Sequence, residues 1–456
     1  SSEERDPGLN KGQAYMVDDH VLQQFIAIFQ GRWPPEKSDC SDHNAVKLAN
    51  RCGDHNLATT GLALSSCARH DTIHAHSGVD LRLGEEYLLM DFSLLSSIRS
   101  FPNLPVTVSY DIMCQYSKKL YQRIAAYPQI LHTPIPFPRY QLLVPKFHLA
   151  AHKQDCVWSF SYNYAIGVGR TDGEGVERNW STQNSLSGST KKMGPGSRRN
   201  TLDDHFGDHN WRKIISIANH IRNKALEAAK VREQMVLAYQ DACQGINNST
   251  QTLWRKMVMD WEQDPDKKNQ THMSPKLNDK ISACATHYRT HFSMLERFSE
   301  QLGKVHWTTN LRPLKNEDIR SILHGKDNDC LGEGYVITSW IWNTSGVDHT
   351  DEANLAECLQ VSWCKARARA LRWQEECVFL QEEMRRVKKF FDHEQKLWES
   401  RAEAATDLGI RAYAYRQAAI RERIRAGCIE KWKDLDTLLS NGAGGFSLHE
   451  APAFVY

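Results

Sequence analysis

Between Gly167 and Trp180 the chain reads Gly-Val-Gly-Arg-Thr-Asp-Gly-Glu-Gly-Val-Glu-Arg-Asn-Trp, a run of carboxylates and arginines set among glycines. Carboxylates gathered from separate elements are what two-metal phosphoryl transfer requires, because the ions they hold activate water and stabilise the leaving oxygen. A helix starting in this stretch places Glu174 and Glu177 on one face. Taken alone, the same residues read as an ordinary capped helix start. A further carboxylate comes from Val106-Thr107-Val108-Ser109-Tyr110-Asp111-Ile112, whose apolar and polar residues alternate with period two and predict a half-buried strand ending at Asp111. Either Glu174 or Glu177 can then point into a cleft shared with Asp111, which by itself would equally suit an N-cap or a turn.

Cysteine and histidine supply a second kind of chemistry. Cys40-x-x-His43 and Cys67-x-x-His70 form two closely spaced couples, a pattern compatible with one tetrahedral structural zinc site. His148, His152 and Cys156 recur every four residues, so one helix would carry all of them on a single face as metal ligands, with Cys114 available as a fourth. The alternatives are a buried Cys67 with surface histidines, and a packed helix face whose imidazoles bond to backbone. A third candidate is Lys191-Lys192-Met193-Gly194-Pro195-Gly196-Ser197-Arg198-Arg199, where four cations surround a Gly-Pro-Gly turn. Glycines let backbone N–H groups approach a phosphate closely, so Lys191, Lys192, Arg198 and Arg199 are expected to meet the DNA backbone unless the run is a solvated loop. Downstream, Thr201-Leu202-Asp203-Asp204 reads as a capped helix start.

The elements that must position these residues divide the chain. A short helix around Val21 to Phe29 and an apolar run from Tyr87 to Ile98 precede the strand; helical spacing follows from Gln115 to Ile124. Prolines 134, 136, 138 and 145 impose an extended connection before a helix beginning near Lys146. Strand, helix, loop, helix suggests an α/β core. From about Trp211 the pattern becomes long helices, interrupted over residues 305–350, and Leu380, Met384, Val387 and Phe391 form an amphipathic stripe for a core or a dimer seam. At 456 residues more than one core is expected. The net charge of +2 gives no general attraction to phosphate, so nucleic-acid binding must rest on local patches. The 12 cysteines are scattered and fit reduced thiols better than a disulfide framework. No stretch approaches the ~20 apolar residues of a membrane-spanning helix, and no membrane partner is expected.

Four ordered strings resemble the fungal KDZ (Kyakuja-Dileera-Zisupton) transposases: Ser109 to Gln115, Pro145-Lys146-Phe147-His148-Leu149, Gly167 to Trp180, and Met193 to Arg199 continuing through Thr201 to Lys213. Fainter likeness runs through Asp6-Pro7-Gly8, Cys67-Ala68-Arg69-His70 and Met90-Asp91. The resemblance implies an α/β RNase H-like nuclease core, a mixed sheet with flanking helices, followed by a long mainly α-helical region. Residues 1–105 would be the N-terminal part with a Cys/His-rich insertion, 106–212 the core, and 213–456 a helical region for multimerisation. It further implies an Asp-Asp-Glu triad that uses Mg or Mn, with Asp111 as the second Asp and Glu177, or Glu174 in its place, as the Glu. The family's first Asp lies on a strand expected before Asp6, so the triad is expected to be incomplete in this chain; Asp91 is a weaker substitute, because Leu88-Leu89-Met90-Asp91-Phe92 fits a later core element better. The implied partners are transposon-end and target DNA and further copies of the chain, in the nucleus. The competing expectation is a decayed or host-adopted copy that binds DNA or assembles without catalysis.

Overall fold

The computed structural model describes Asp6, Gly8, Leu9, Cys40 and residues 14–33, 59–81, 85–99, 105–128, 140–244, 246–263, 275–303, 311–315, 318–319 and 352–441. Two compact units are present: Ser1–Glu227 with Glu376–Ser440 and Ala453–Tyr456, and Ala228–Glu375 with Asn441–Pro452. The chain is mostly helical with a small sheet content. In place of one mixed sheet, the described residues hold two separate two-stranded ladders.

In the first unit, α1 (Asp19–Phe29) starts where Asp18 accepts the Val21 N–H at 3.2 Å, and it buries Leu22, Phe25, Ile26 and Phe29 along one face. β1 (Gly61–Ala63) pairs antiparallel with β2 (Val79–Leu81). α2 (Tyr87–Ile98) adds Leu88, Leu89, Phe92, Leu95 and Ile98 to the core that holds the α1 face. β3 (Val106–Ser109) is shorter than its sequence pattern. α3 (Met113–Tyr116) and α4 (Leu120–Ala126) follow it, and β4 (Tyr140–Leu143) returns parallel to β3 with Ser109 opposite Leu143. A parallel return needs such a crossover connection.

The helix expected from Lys146 is two helices, α5 (Lys146–Leu149) and α6 (Gln154–Phe160), because Lys153 is extended at ψ 153. α7 (Gly175–Gln183) and α8 (Ser187–Thr190) lead to α9 (Pro195–Cys243). Proline suits the opening position of a helix, where its missing N–H has no partner to lose. Thr201 is therefore inside a helix that began earlier, and Asp203 is no cap: its carboxylate accepts the Tyr15 and Met16 N–H groups at 3.0 and 3.3 Å.

In the second unit, the end of α9 and α10 (Asn248–Gln263) build a core of Val236, Tyr239, Trp254, Val258 and Trp363, the Trp363 indole donating to Cys243 Sγ at 3.2 Å. α11 (Pro275–Leu302) belongs to the same unit. α12 (Glu352–Ala404) begins in this unit and, from Glu376 on, belongs to the first, where it carries the Leu380 stripe. Leu380, Met384 and Phe391 are buried, so the stripe serves a core. α13 (Leu408–Trp432) and α14 (Leu435–Ser440) return to the first unit, where the Trp432 indole donates to the Ala218 carbonyl at 2.8 Å. Most of the interruption expected at 305–350 lies outside the described residues. Among those residues, no helix is long and apolar enough to cross a membrane.

Asp91 is fully buried on α2, and its carboxylate is gripped by the Arg123 guanidinium at 2.6 and 3.0 Å and by the Tyr127 hydroxyl at 2.6 Å. Arg123 also lies over the Tyr116 ring at 4.8 Å. This is a structural ion pair, so Asp91 does not stand in for a catalytic carboxylate. Breaking one half of a buried pair leaves an uncompensated charge and costs about 3 to 5 kcal/mol. Asp91→Ala is therefore expected to lower the thermal midpoint sharply, while Asp91→Leu combined with Arg123→Met recovers much of it. Additive losses in the double variant would show that the pair is not the unit being broken.

Candidate active site and metal centre

Past Ser109 the chain makes one more ladder bond, Tyr110 N–H to the Leu143 carbonyl at 3.1 Å, and then turns, so Asp111 sits where the chain leaves the sheet. The opposing segment is held against this turn by backbone. Lys146 N–H donates to the Asp172 carbonyl at 2.9 Å, and Phe147 N–H donates to Glu174 Oε1 at 2.7 Å. Gly173 makes the approach possible: with φ at +81° it adopts a left-handed conformation, and a Cβ there would lie 2.5 Å from Ser109 Oγ. Glu174 is the N-cap residue of α7 and Glu177 lies in its first turn. Arg178 fixes the start of α7 with a fork, donating to Asp71 at 2.8 and 3.0 Å and to Asp172 Oδ2 at 2.8 Å.

His148 completes the group. Its Nε2 is 2.9 Å from Glu177 Oε1, and ligand-capable atoms of His148, Glu174 and Glu177 lie within 4.8 Å of one another. The hydrogen bond to Glu177, against partial burial, raises the His148 pKa, and the charges of Asp111, Glu177 and Glu174 add to the rise. Burial also raises Glu174, opposed by the Phe147 N–H and reinforced by the Glu177 charge. All three carboxylates singled out in the sequence thus act on one imidazole. Glu85, which the sequence did not signal, borders the group: it accepts the Tyr110 hydroxyl at 2.7 Å and feels the charge of Asp111.

The break between α5 and α6 sends His148 to the carboxylates and leaves His152 and Cys156 on the other side, correcting the expectation of a single His148-His152-Cys156 face. The companions of His152 and Cys156 are Cys114 and Cys40, and ligand atoms of all four lie within 4.8 Å of one another. His152 Nδ1 is 3.3 Å from Cys114 Sγ and 3.5 Å from Cys40 Sγ. With Zn–S near 2.3 Å and Zn–N near 2.0 Å, a tetrahedral site has N···S edges of about 3.5 Å. The donor chemistry and the spacing both fit zinc. A hydrogen bond from Cys156, together with His152 and against burial, draws the Cys114 thiol down to about 4, while Cys156 moves up as the partner that keeps its proton.

Cys40 therefore joins this cluster and not Cys67 and His70, and His43 lies outside the described residues. Cys67 and His70 form a separate pair, Sγ to Nδ1 3.6 Å, with the other ring nitrogen 3.6 Å from Glu383 of α12. Between them Arg69 donates to both oxygens of Glu376 at 2.8 and 3.0 Å and is also paired with Glu383. This loop clamps α12 to the rest of the first unit.

The basic run is only partly open. Arg198 is paired with Asp80 and Arg199 with Asp19 at 2.9 Å, whereas Lys191 and Lys192 are exposed. The glycines admit the protein's own Asp6: Ser197 N–H donates to Asp6 Oδ2 at 3.0 Å, and a Cβ on Gly196 would fall 2.3 Å from the Asp6 carbonyl.

No curated protein and no solved structure matches the chain. A family model does, that of Kyakuja-Dileera-Zisupton transposase, over residues 1–210 of the 456. That span, over which the chain is similar to the KDZ transposases, contains both the carboxylate–histidine group and the Cys40-Cys114-His152-Cys156 cluster.

Proposed function

We propose that this chain contains the catalytic region of a DNA transposase, built on an RNase H-like core, which cleaves a phosphodiester at an element end and joins the freed 3′-hydroxyl to target DNA. The observation that carries the reading is the gathering of His148, Glu174 and Glu177 within 4.8 Å of one another, with the charge of Asp111, at the end of β3, acting on the same imidazole. Hard carboxylate oxygens with one imidazole suit Mg²⁺ or Mn²⁺. Asp111 and Glu177 would hold the metal, with Glu174 in reserve. When bound, such ions polarise the phosphoryl oxygen and lower the pKa of an attacking water.

The chain's own residues orient this site. Arg178 sets the angle of α7 and hence the place of Glu177. The Phe147 N–H holds Glu174. Zinc on Cys40, Cys114, His152 and Cys156 would join the segment after Asp111 to the segment after His148. Lys191 and Lys192 would meet the DNA backbone, and the protein would act as a homo-oligomer in the nucleus. One observation favours the non-catalytic alternative: Asp91, the substitute third carboxylate, is locked to Arg123.

Calorimetric titration with Mn²⁺ tests the site directly. Asp111→Asn and Glu177→Gln are each expected to weaken binding by at least about 10-fold, since even supporting groups around a metal contribute 10- to 100-fold. Unchanged Mn²⁺ affinity in both variants would remove the catalytic reading.

A further inference from the structure

Phe147 has no role in the core. Its side chain is 69% exposed, more than any other aromatic among the described residues. Its backbone is fixed: α5 is a four-residue helix that follows buried Pro145 and ends on buried Leu149, and the Phe147 N–H donates to Glu174. Edge-to-face contact with the His148 ring, centroids 5.8 Å apart and planes at 88°, leaves the aromatic surface beside the carboxylates turned to solvent. An exposed aromatic ring on an anchored backbone offers a flat face on which another π-system can stack.

The chemistry of the neighbouring group narrows what can cover it. Asp111, Glu174 and Glu177 give the site an acidic character that repels the phosphates of a strand placed there, so part of the grip comes from an uncharged contact. Every nucleobase has a π-face, and bases stack on aromatic side chains without regard to sequence. Inside a duplex that face is already stacked on its neighbours, so only an unpaired or extruded base can offer it. We propose that Phe147 is the stacking platform for an unpaired nucleobase flanking the phosphate that the carboxylate–histidine group receives. The inference rests on the transposase reading above. It adds that the site acts on locally opened DNA.

The test uses two DNA hairpins and the full chain, with Ca²⁺ as the only divalent ion. One hairpin is fully paired; the other carries a single-nucleotide bulge with 2-aminopurine as the unpaired base. The parent protein is expected to bind the bulged hairpin more tightly and to quench its fluorescence. Phe147→Ala should lose the quenching and weaken bulge binding by about 5- to 100-fold, with the paired hairpin little changed, and Phe147→Trp should restore both. Equal affinities of the parent and Phe147→Ala for the bulged hairpin, with Mn²⁺ binding intact in both, would overturn the stacking role and leave the metal site standing. Absence of Mn²⁺ binding in the parent itself would sink the metal site and the platform together.

Discussion

Glu177→Gln is expected to yield a folded, zinc-bearing protein that nicks supercoiled DNA in Mg²⁺ or Mn²⁺ at least about 1,000-fold more slowly than the parent. The side chain keeps its shape but loses the charge that a metal needs, and several kcal/mol of transition-state stabilisation go with it, each ~1.4 kcal/mol being a factor of 10. Asp111→Asn should match it, because the charges of Asp111 and Glu177, carried by separate segments, both act on the His148 imidazole. Arg178→Ala is the informative companion. Arg178 touches Asp71 and Asp172 and not the reacting atoms, so its loss should act through the placement of α7 and cost about 10- to 100-fold.

The measurement is the initial rate of conversion of supercoiled to open-circular DNA by the complete protein. Three comparable rates would move the reading to a DNA-binding or assembly module that keeps the fold without the chemistry. A loss in Arg178→Ala as large as in Glu177→Gln, with Mn²⁺ affinity retained, would mean that Arg178 meets the substrate itself.

How much of this was legible in the sequence depends on the range of the interaction. The β3 pattern, α1, the α2 run and the Leu380 stripe are local periodicities, and the structure follows them to within a few residues. The carboxylates were legible because Asp111, Glu174 and Glu177 sit in segments whose local signals, a strand end and a helix start, already place them at element termini. The cysteine pairing was not. Cys40 meets His152 across 112 positions, and spacing carries no information at that range. His148 was misassigned for a local reason: a repeat every four residues is a single face only if the helix is continuous, and Lys153 breaks it. The glycines of the basic run were read as room for phosphate, yet the anion at the start of α9 is the side chain of Asp6. Sequence showed the need for an anion and could not say that the protein supplies its own.

The largest stability effect should come from the zinc cluster, and one set of variants separates the pairing seen in the structure from the one suggested by spacing. Purified under reducing conditions, the protein is expected to carry about one zinc, bound by the three thiolates and one imidazole of a closed tetrahedral site. Cys114→Ser and Cys156→Ser should each lose it, and Cys67→Ser should keep it, because Cys67 bonds to His70 and lies outside the cluster. Structural zinc contributes an apparent ~10 to 16 kcal/mol in small domains. Losing even a third of that is worth a fall of about 5 to 9 °C in the melting midpoint of a unit this size. Metal content by atomic emission, read beside thermal unfolding with and without a chelator, checks both halves. Zinc lost from Cys67→Ser and retained by Cys156→Ser would reinstate the Cys40-His43-Cys67-His70 site. The cluster also bears on catalysis: Cys114 follows Asp111 by three residues and His152 follows His148 by four. Stripping zinc should therefore release both walls of the carboxylate group, and nicking should fall with zinc content even where Asp111 and Glu177 are intact.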